Sequence, residues 1–321
     1  MSDERSALSG RSAIVTGASG FIGTHLCRRL RDAGVEVHGV SRTGSGHAHV
    51  AQWWRADLAD PRETRSIMKQ VSPDLVFHLA SQVGGSRALD WVVPTVKNNL
   101  LSTVYLFAAA AEIGCNRIVL AGSMEEPTDP VAAIPSSPYA AAKSASTAYA
   151  RMFHALYDLP VVVLRLFMVY GPEQRDHTKL IPYVGLSLYR GETPELGSGR
   201  RLVDWVYVGD VTEAFVTAAA TDGVEGETFD VGTGELVSVR TVVEKLTSLI
   251  DPSIQPRFGA VPDRPFESSP RADVDKSFLS LDWRARVPLD EGLRRTASWL
   301  RNVSRSHEDS TMGREDIVRG A

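Results

Sequence analysis

Three short stretches of this 321-residue chain carry side chains suited to chemistry. Tyr139-Ala140-Ala141-Ala142-Lys143 sets a phenol and an ammonium four residues apart, which on a helix places both on one face. A cation beside a phenol favours the phenolate, the form that can accept a proton. Ser123 stands at the end of the apolar run Ile118-Val119-Leu120-Ala121, and an open parallel sheet presents its ligands at that carboxyl edge. The third stretch, Gly17-Ala18-Ser19-Gly20-Phe21-Ile22-Gly23, follows the strand-like Ala13-Ile14-Val15 and opens a helical pattern through Phe21, Ile22, Leu26 and Leu30. Glycines so spaced let backbone approach a pyrophosphate, whose charge is met by free amides and the positive end of the helix dipole. The turn predicts a bound nicotinamide dinucleotide.

The elements that must position these groups can be read from periodicity. Short β-branched or apolar runs at Val35–Val40, Leu75–His78, Ile118–Leu120 and Val161–Arg165 alternate with longer helical patterns, including one over about 138–157. Such alternation predicts an α/β fold of Rossmann type, a doubly wound parallel sheet covered on both faces. Beyond Gly171-Pro172 the texture changes: Pro and Gly become frequent, Trp205-Val206-Tyr207-Val208 reads as an isolated strand, and short helices follow at about 210–220, 238–250 and 289–301. We therefore expect a dinucleotide-binding domain over 11–172 with later sheet-completing segments, a smaller substrate-binding lobe mainly over 173–301, and a disordered tail over 302–321.

About twenty residues past the glycine turn, an acidic residue would hold the ribose of NAD. The chain reads Val40-Ser41-Arg42-Thr43, with no carboxylate. Arg42 can pair bidentately with a 2′-phosphate and Ser41 can donate a hydrogen bond, so NADP(H) is expected over NAD(H).

Taken together the motifs resemble the extended branch of the short-chain dehydrogenase/reductase superfamily, the nucleotide-sugar epimerases, dehydratases and reductases. The resemblance runs from about Arg11 to about Leu300 and rests on the glycine turn, Asp57-Leu58, His78-Leu79-Ala80, Asn99, Ser123, Tyr139 with Lys143, Tyr170-Gly171-Pro172 and Val208-Gly209-Asp210. It implies that Tyr139 is the acid/base for an oxygen whose carbon gives or takes a hydride, with its pKa of about 10 lowered by Lys143 and the oxidised nicotinamide. It implies further that Lys143 holds the nicotinamide ribose and that Ser123 bonds the reacting oxygen. Asp57 and Leu58 would border the adenine, and Leu79, Ala80, Ser81 and Asn99 would line the dinucleotide; Asp57 is equally suited to capping a helix.

Several positions depart from the family pattern. Met124-Glu125-Glu126-Pro127 stands where a Val-Tyr-Gly turn is common, and Glu125 has the spacing at which sugar dehydratases carry a functional glutamate; a loop-orienting role fits it as well. Met168 replaces an asparagine that helps hold the sugar nucleotide, and a thioether cannot donate that bond. Val203 replaces an arginine that meets the substrate pyrophosphate, leaving Arg200 or Arg201 to reach in, while Arg264 with Glu267 resembles the second such arginine. The altered pocket and the NADP(H) signal together favour reduction of a nucleotide-diphosphate 4-keto-6-deoxyhexose, with 4-epimerase next and 4,6-dehydratase third. A non-catalytic NADP-binding regulator is the reading from another class, disfavoured because Ser123, Tyr139 and Lys143 are all present.

Composition narrows the partners. With 43% hydrophobic and 23% charged residues and a formal net charge of −4, the chain has no basic field for nucleic acid or an anionic membrane. The polar start, and the lack of any run of about 18 apolar residues, point to the cytoplasm. Cys27 and Cys115 fall inside helical apolar patterns, so buried thiols rather than a disulfide or metal site are expected. Val104, Leu106, Tyr149, Met152 and Phe153, on helices at about 93–112 and 138–157, suggest a homodimer interface, as in relatives.

Overall fold

Apolar runs flanked by capped helices build the expected sheet. In a computed structural model, which describes residues 7–44, 46–84, 86–127, 134–263 and 269–318, with side chains as far as Arg305, the chain divides into two compact units. One takes in the described parts of 1–167, 209–233 and 272–285, and the other those of 168–208, 234–271 and 286–321.

The first unit is organised on seven parallel strands: β1 (Ser12–Thr16), β2 (Glu36–Ser41), β3 (Gln52–Arg55), β4 (Leu75–His78), β5 (Arg117–Ser123), β6 (Val161–Leu166) and, much later in the chain, β10 (Thr228–Val231). Their spatial order is β10-β6-β5-β4-β1-β2-β3, so the winding reverses between β1 and β4. That reversal opens a crevice at the carboxyl ends of those two strands, where such sheets bind ligands. β4 and β5 are buried along their whole length, as strands covered on both faces must be.

Local sequence explains where the helices begin. α1 (Phe21–Asp32) starts after Gly20 with no side-chain cap and no acidic residue in its first turn, leaving its amino end available to an anion. α2 (Pro61–Val71) has Pro at its start and is capped by Asp60, which accepts from the amides of Arg62 and Glu63. Asp57, suited by sequence to such a cap, instead accepts from the amide of Ala59 at 3.0 Å, one turn earlier. The next stretch is not a uniform helix: α3 (Val92–Thr95) passes through a π-helical turn, Val96–Leu101, into α4 (Ser102–Ile113). α5 (Pro138–Tyr157) is capped by Ser137, whose hydroxyl accepts from Ala140.

These helices seal the sheet through a buried cluster that includes Ile14, Val76, Ile118, Leu120, Phe107 and Phe153. The rings of Phe107 and Phe153 meet edge to face at 5.5 Å, joining α4 to α5. Leu106 and Phe153 thus belong to the core, Val104 and Met152 pack against it, and of the apolar residues considered for an interface only Tyr149 is exposed. Cys27 and Cys115 are buried free thiols.

In the second unit β7 (Met168–Tyr170), β9 (Leu202–Tyr207) and β11 (Leu236–Ser238) form a three-stranded sheet with β9 central. The strand that reads as isolated in sequence is therefore paired on both sides, parallel to β7 and antiparallel to β11. Around it lie α6 (Leu180–Tyr189), β8 (Glu195–Leu196), α8 (Val239–Ile250), β12 (Arg257–Phe258) and α10 (Leu289–Val318). Two further helices, α7 (Val208–Ala220), from Gly209 onward, and α9 (Val274–Leu281), belong to the first unit, where the Trp283 indole just beyond α9 donates to the carbonyl of Asp210 on α7 at 3.1 Å. α10 runs past residue 301 to Val318, so the backbone of 302–318, expected to be disordered, is helical. Among the described residues no helix is long and apolar enough to cross a membrane.

A chain of hydrogen bonds fixes the crevice. Thr103 Oγ1 donates to the carbonyl of Asn99 at 2.6 Å, so it must accept from His78 Nε2–H at 3.0 Å. His78 Nδ1 then accepts from Thr16 Oγ1 at 2.7 Å, and the same oxygen accepts the amides of Leu79 and Ala80, each at 3.1 Å. Burial lowers the His78 pKa to about 3, keeping the ring neutral as this pattern requires. Replacing Thr16 with Val should leave His78 Nδ1 and the Ala80 amide unpaired, at a cost of roughly 1–3 kcal/mol for each group, while the Leu79 amide keeps the Thr16 carbonyl at 3.3 Å. Equilibrium urea unfolding measures this, and a midpoint equal to the wild type would contradict the assignment.

Candidate functional site

The glycine turn has the shape its sequence predicts, for a reason visible in the neighbouring strand. Gly17 has φ +68°, and a Cβ there would stand 2.9 Å from the Ala80 amide nitrogen. A Cβ on Gly23 would run into the Gly17 carbonyl oxygen, and one on Gly20 would lie 3.1 Å from the same atom. The turn is closed by Gly20 N–H donating to the Gly17 carbonyl at 2.9 Å, and Ser19 and Gly20 are exposed at its tip. Phe21 and Ile22, half-buried, begin α1. Across the crevice Leu79 and Ala80 form the second wall, and beside them the Ser81 hydroxyl is closed off from solvent with no partner among the described residues. An uncapped helix start, a glycine cradle and an orphaned buried hydroxyl together fit a dinucleotide.

Asn99 contributes in a way that spacing alone does not reveal. It sits in the π-helical turn, 3% exposed, and its side chain pairs with the backbone of Gln82 in both directions: Oδ1 accepts from Gln82 N at 2.6 Å, and Nδ2 donates to Gln82 O at 3.1 Å. It thereby holds the segment after β4 that carries Ala80 and Ser81. π turns recur where a helix is distorted for a local purpose, and none is legible from the apolar pattern of this segment.

At the far end of β2, Ser41 Oγ accepts from the Gly44 amide at 3.0 Å, within its own turn, and Arg42 is exposed. Neither forms part of a preorganised phosphate pocket. Asp57 is exposed, and Leu58, next to it, is buried.

The second cluster gathers at the carboxyl end of β5. Ser123, 6% exposed, receives the Glu125 amide on Oγ at 3.2 Å. Tyr139 and Lys143 both lie on α5, Tyr139 half-buried and Lys143 6% exposed. Lys143 Nζ donates to the Ala121 carbonyl at 2.7 Å and stands 5.9 Å from the centre of the Tyr139 ring. The ammonium thus stands over the ring, and Lys143 is not among the groups that shift the phenol. Consequently the lowered Tyr139 pKa expected from Lys143 is not found: burial raises it, the carboxylates of Glu125 and Glu126 raise it further, and only a hydrogen bond with Ser123 opposes them. Lys143 is pulled down by burial to about 8, with Glu126 pushing the other way.

Glu125 is half-buried and accepts from the Ser137 hydroxyl at 3.4 Å, which ties the Ser123 turn to the cap of α5. Glu126 went unnoticed in the sequence, yet it is buried and bonded to the Ser123 amide. Its only sequence signal was an acidic pair where an apolar residue is usual.

Met168, Arg201 and Val203, at the positions that the resemblance assigns to the substrate side, lie in the second unit. Met168 is half-buried on β7, and Arg201 is half-buried just before β9. Val203 is fully buried in β9, opposite Val237 of β11, so an arginine at this position would have to enter a packed interior. Arg264 and Glu267 fall outside the described residues. Among the described residues no group of three or more His, Cys, Asp or Glu is placed to hold a metal ion.

Comparison with known proteins agrees with this geometry. Residues 13–232 match the model of the NAD dependent epimerase/dehydratase family. The chain is similar to the UDP-glucose 4-epimerase of Mycolicibacterium smegmatis, at 33% identity over 91% of this chain and 99% of that one. It is 28% identical to the dTDP-glucose 4,6-dehydratase of Shigella flexneri, over 89% of this chain and 91% of the other. Among solved structures, the UDP-glucose 4-epimerase of Thermus thermophilus in complex with NAD superposes with a TM-score of 0.80 at 28% identity, covering 90% of this chain and 99% of that one. The NADP(H) expected from Arg42 is thereby corrected to NAD(H). The physical reason is on the surface: an exposed arginine beside a serine already bonded within its turn is not a 2′-phosphate site.

The ribose-holding role that the resemblance implies for Lys143 carries a pH dependence. Its ammonium, the form able to donate to a ribose hydroxyl, is present below about 8 and lost as pH rises through that value. NAD affinity, followed by quenching of protein fluorescence, should weaken over that interval, and Lys143→Met should bind more weakly with no such dependence. Affinity independent of pH in the wild type would contradict this role.

Proposed function

The chain belongs to the NAD dependent epimerase/dehydratase family, and within it we propose a 4-epimerase of a nucleotide-diphosphate hexose, with a uridine diphosphate hexose as substrate. The observation that carries this reading is the likeness to a UDP-glucose 4-epimerase over nearly the full length of both chains, above 30% identity. The NADP(H) argument for a reductase falls with the cofactor correction, and a cycle that regenerates its own cofactor suits NAD.

When bound, NAD supplies a hydride acceptor and donor, so that C4 is oxidised to a ketone and reduced again with no net cofactor change. The protein residues handle the proton. Tyr139 takes it from the C4 hydroxyl and returns it to the oxygen after the sugar has turned. Ser123 donates to that same oxygen, and its position is set by β5 and by the Glu125 amide. Because burial and two carboxylates hold the phenol protonated, Tyr139 ionises only when further positive charge stands beside it. That couples proton removal to a loaded, oxidised site. Lys143, anchored on Ala121, holds the ribose; Gly17, Gly20 and Gly23 with the start of α1 receive the pyrophosphate. Met168 and Arg201 act on the substrate side.

Glu125 orients the active turn, since its amide is on Ser123 and its carboxylate on Ser137. The same carboxylate supports a second reading, removal of a C5 proton in a 4,6-dehydratase, and a dehydratase is among the relatives. Val93, Tyr149, Leu156 and Tyr157, all exposed apolar side chains on α3 and α5, favour a homodimer.

Purified protein given UDP-glucose without added reductant should form UDP-galactose, a product of unchanged mass. Loss of one water from the sugar would replace the epimerase by the dehydratase. Tyr139→Phe should lower turnover by at least about 100-fold while NAD still binds; undiminished turnover in that variant would remove Tyr139 from the mechanism.

A further inference from the structure

The turn after β5 contains a second glutamate with no solvent role. Glu126 is 7% exposed. Its Oε1 accepts from the Ser123 amide at 2.7 Å and its Oε2 from Thr147 Oγ1, on α5, at 2.7 Å. The turn itself is closed by the Glu126 amide on the Ser123 carbonyl at 3.0 Å. Room for the carboxylate exists because residue 122 is glycine: a Cβ there would stand 2.7 Å from Oε1. Gly122 is paired in register with Arg165 of β6, whose guanidinium donates to Asp230 of β10 at 2.6 Å and also feels the charge of Glu126. Burying a carboxylate is costly unless it is paired and hydrogen-bonded, and here both oxygens are satisfied.

We propose that Glu126 is a positioning residue: its carboxylate clamps the turn that carries Ser123 to the helix that carries Tyr139 and Lys143. The proposal rests on the reading that these three residues act at C4. One carboxylate bridges the two elements whose separation sets the distance between the serine hydroxyl and the phenol. Thr147 lies one turn beyond Lys143 on α5, so the clamp acts on the segment that presents the pair.

The charge has a second consequence. Glu126 favours the protonated forms of both Tyr139 and Lys143. The other titratable or charged groups facing this region are Glu125 in the same turn, neutral His78 on β4, Arg165 on β6, Asp230 on β10 and Asp273 before α9. Glu126→Gln keeps an acceptor for the Ser123 amide and removes the charge, so both groups should release their protons at lower pH.

The test compares Glu126→Gln and Thr147→Ala with the wild type. For E126Q both limbs of the kcat/KM profile should move to lower pH. In the presence of NAD, the Tyr139 phenolate absorbance, taken as the difference from a matching Tyr139→Phe protein, should likewise appear at lower pH. For T147A, which keeps the charge and loses the tie to α5, kcat should fall on the order of 10- to 100-fold with KM and the pH profile unchanged. A folded E126Q with the wild-type profile and phenolate midpoint overturns the proposal, as does T147A with wild-type kcat. If E126Q does not fold, T147A decides alone. If no sugar is turned over, the C4 reading fails, while the phenolate titration still decides the effect of Glu126.

Discussion

The site depends on one close approach: the backbone of Gly17 lies against Leu79 and Ala80, too near for any side chain at residue 17. Everything around it serves to hold that distance. Thr16 bonds the amides of Leu79 and Ala80, His78 bonds Thr16, and Thr103 bonds His78, so β1, β4 and α4 are laced together beneath the crevice by buried hydrogen bonds. Asn99 extends the lacing to Gln82. A larger residue at 17 would have to separate two central strands of the sheet, and the loss would spread into the core.

The chemistry draws on the same burial. Lys143 is almost wholly and Tyr139 partly withdrawn from water, which penalises the charged form of each and leaves a neutral phenol beside a weakened ammonium. In such a site a change of one charge is felt strongly, because little solvent screens it. Tyr139 therefore answers to the charge state of whatever occupies the crevice, and the carboxylates of Glu125 and Glu126 set how much positive charge is needed. For the proposed role of Tyr139, this coupling is a physical basis for keeping the proton in place until the hydride can move.

Features governed by short-range rules were legible in the sequence. The glycine spacing, the Tyr139/Lys143 offset and the apolar strands all express constraints a few residues long, and the parallel sheet, the turn and the buried pair appear where those constraints put them. What escaped depends on contacts between distant segments. The π-helical turn carrying Asn99 follows from packing after β4, and the burial of Glu126 follows from an absent Cβ at Gly122 and a threonine on another helix. Arg42 misled because a charged side chain next to the right strand looks the same whether or not a pocket forms around it; here it is exposed. The helix beyond residue 301 escaped because its segment lacks an apolar stripe.

A C4 epimerase that recycles its own cofactor must return to C4 the same hydrogen it removed. UDP-glucose carrying deuterium at C4, incubated with protein preloaded with NAD and with unlabelled NADH in solution, tests this directly, with the label in the product located by nuclear magnetic resonance. UDP-galactose that retains the deuterium at C4 is the predicted result. Deuterium lost from C4 to the free cofactor, or a product in which C4 remains a ketone, would contradict the account.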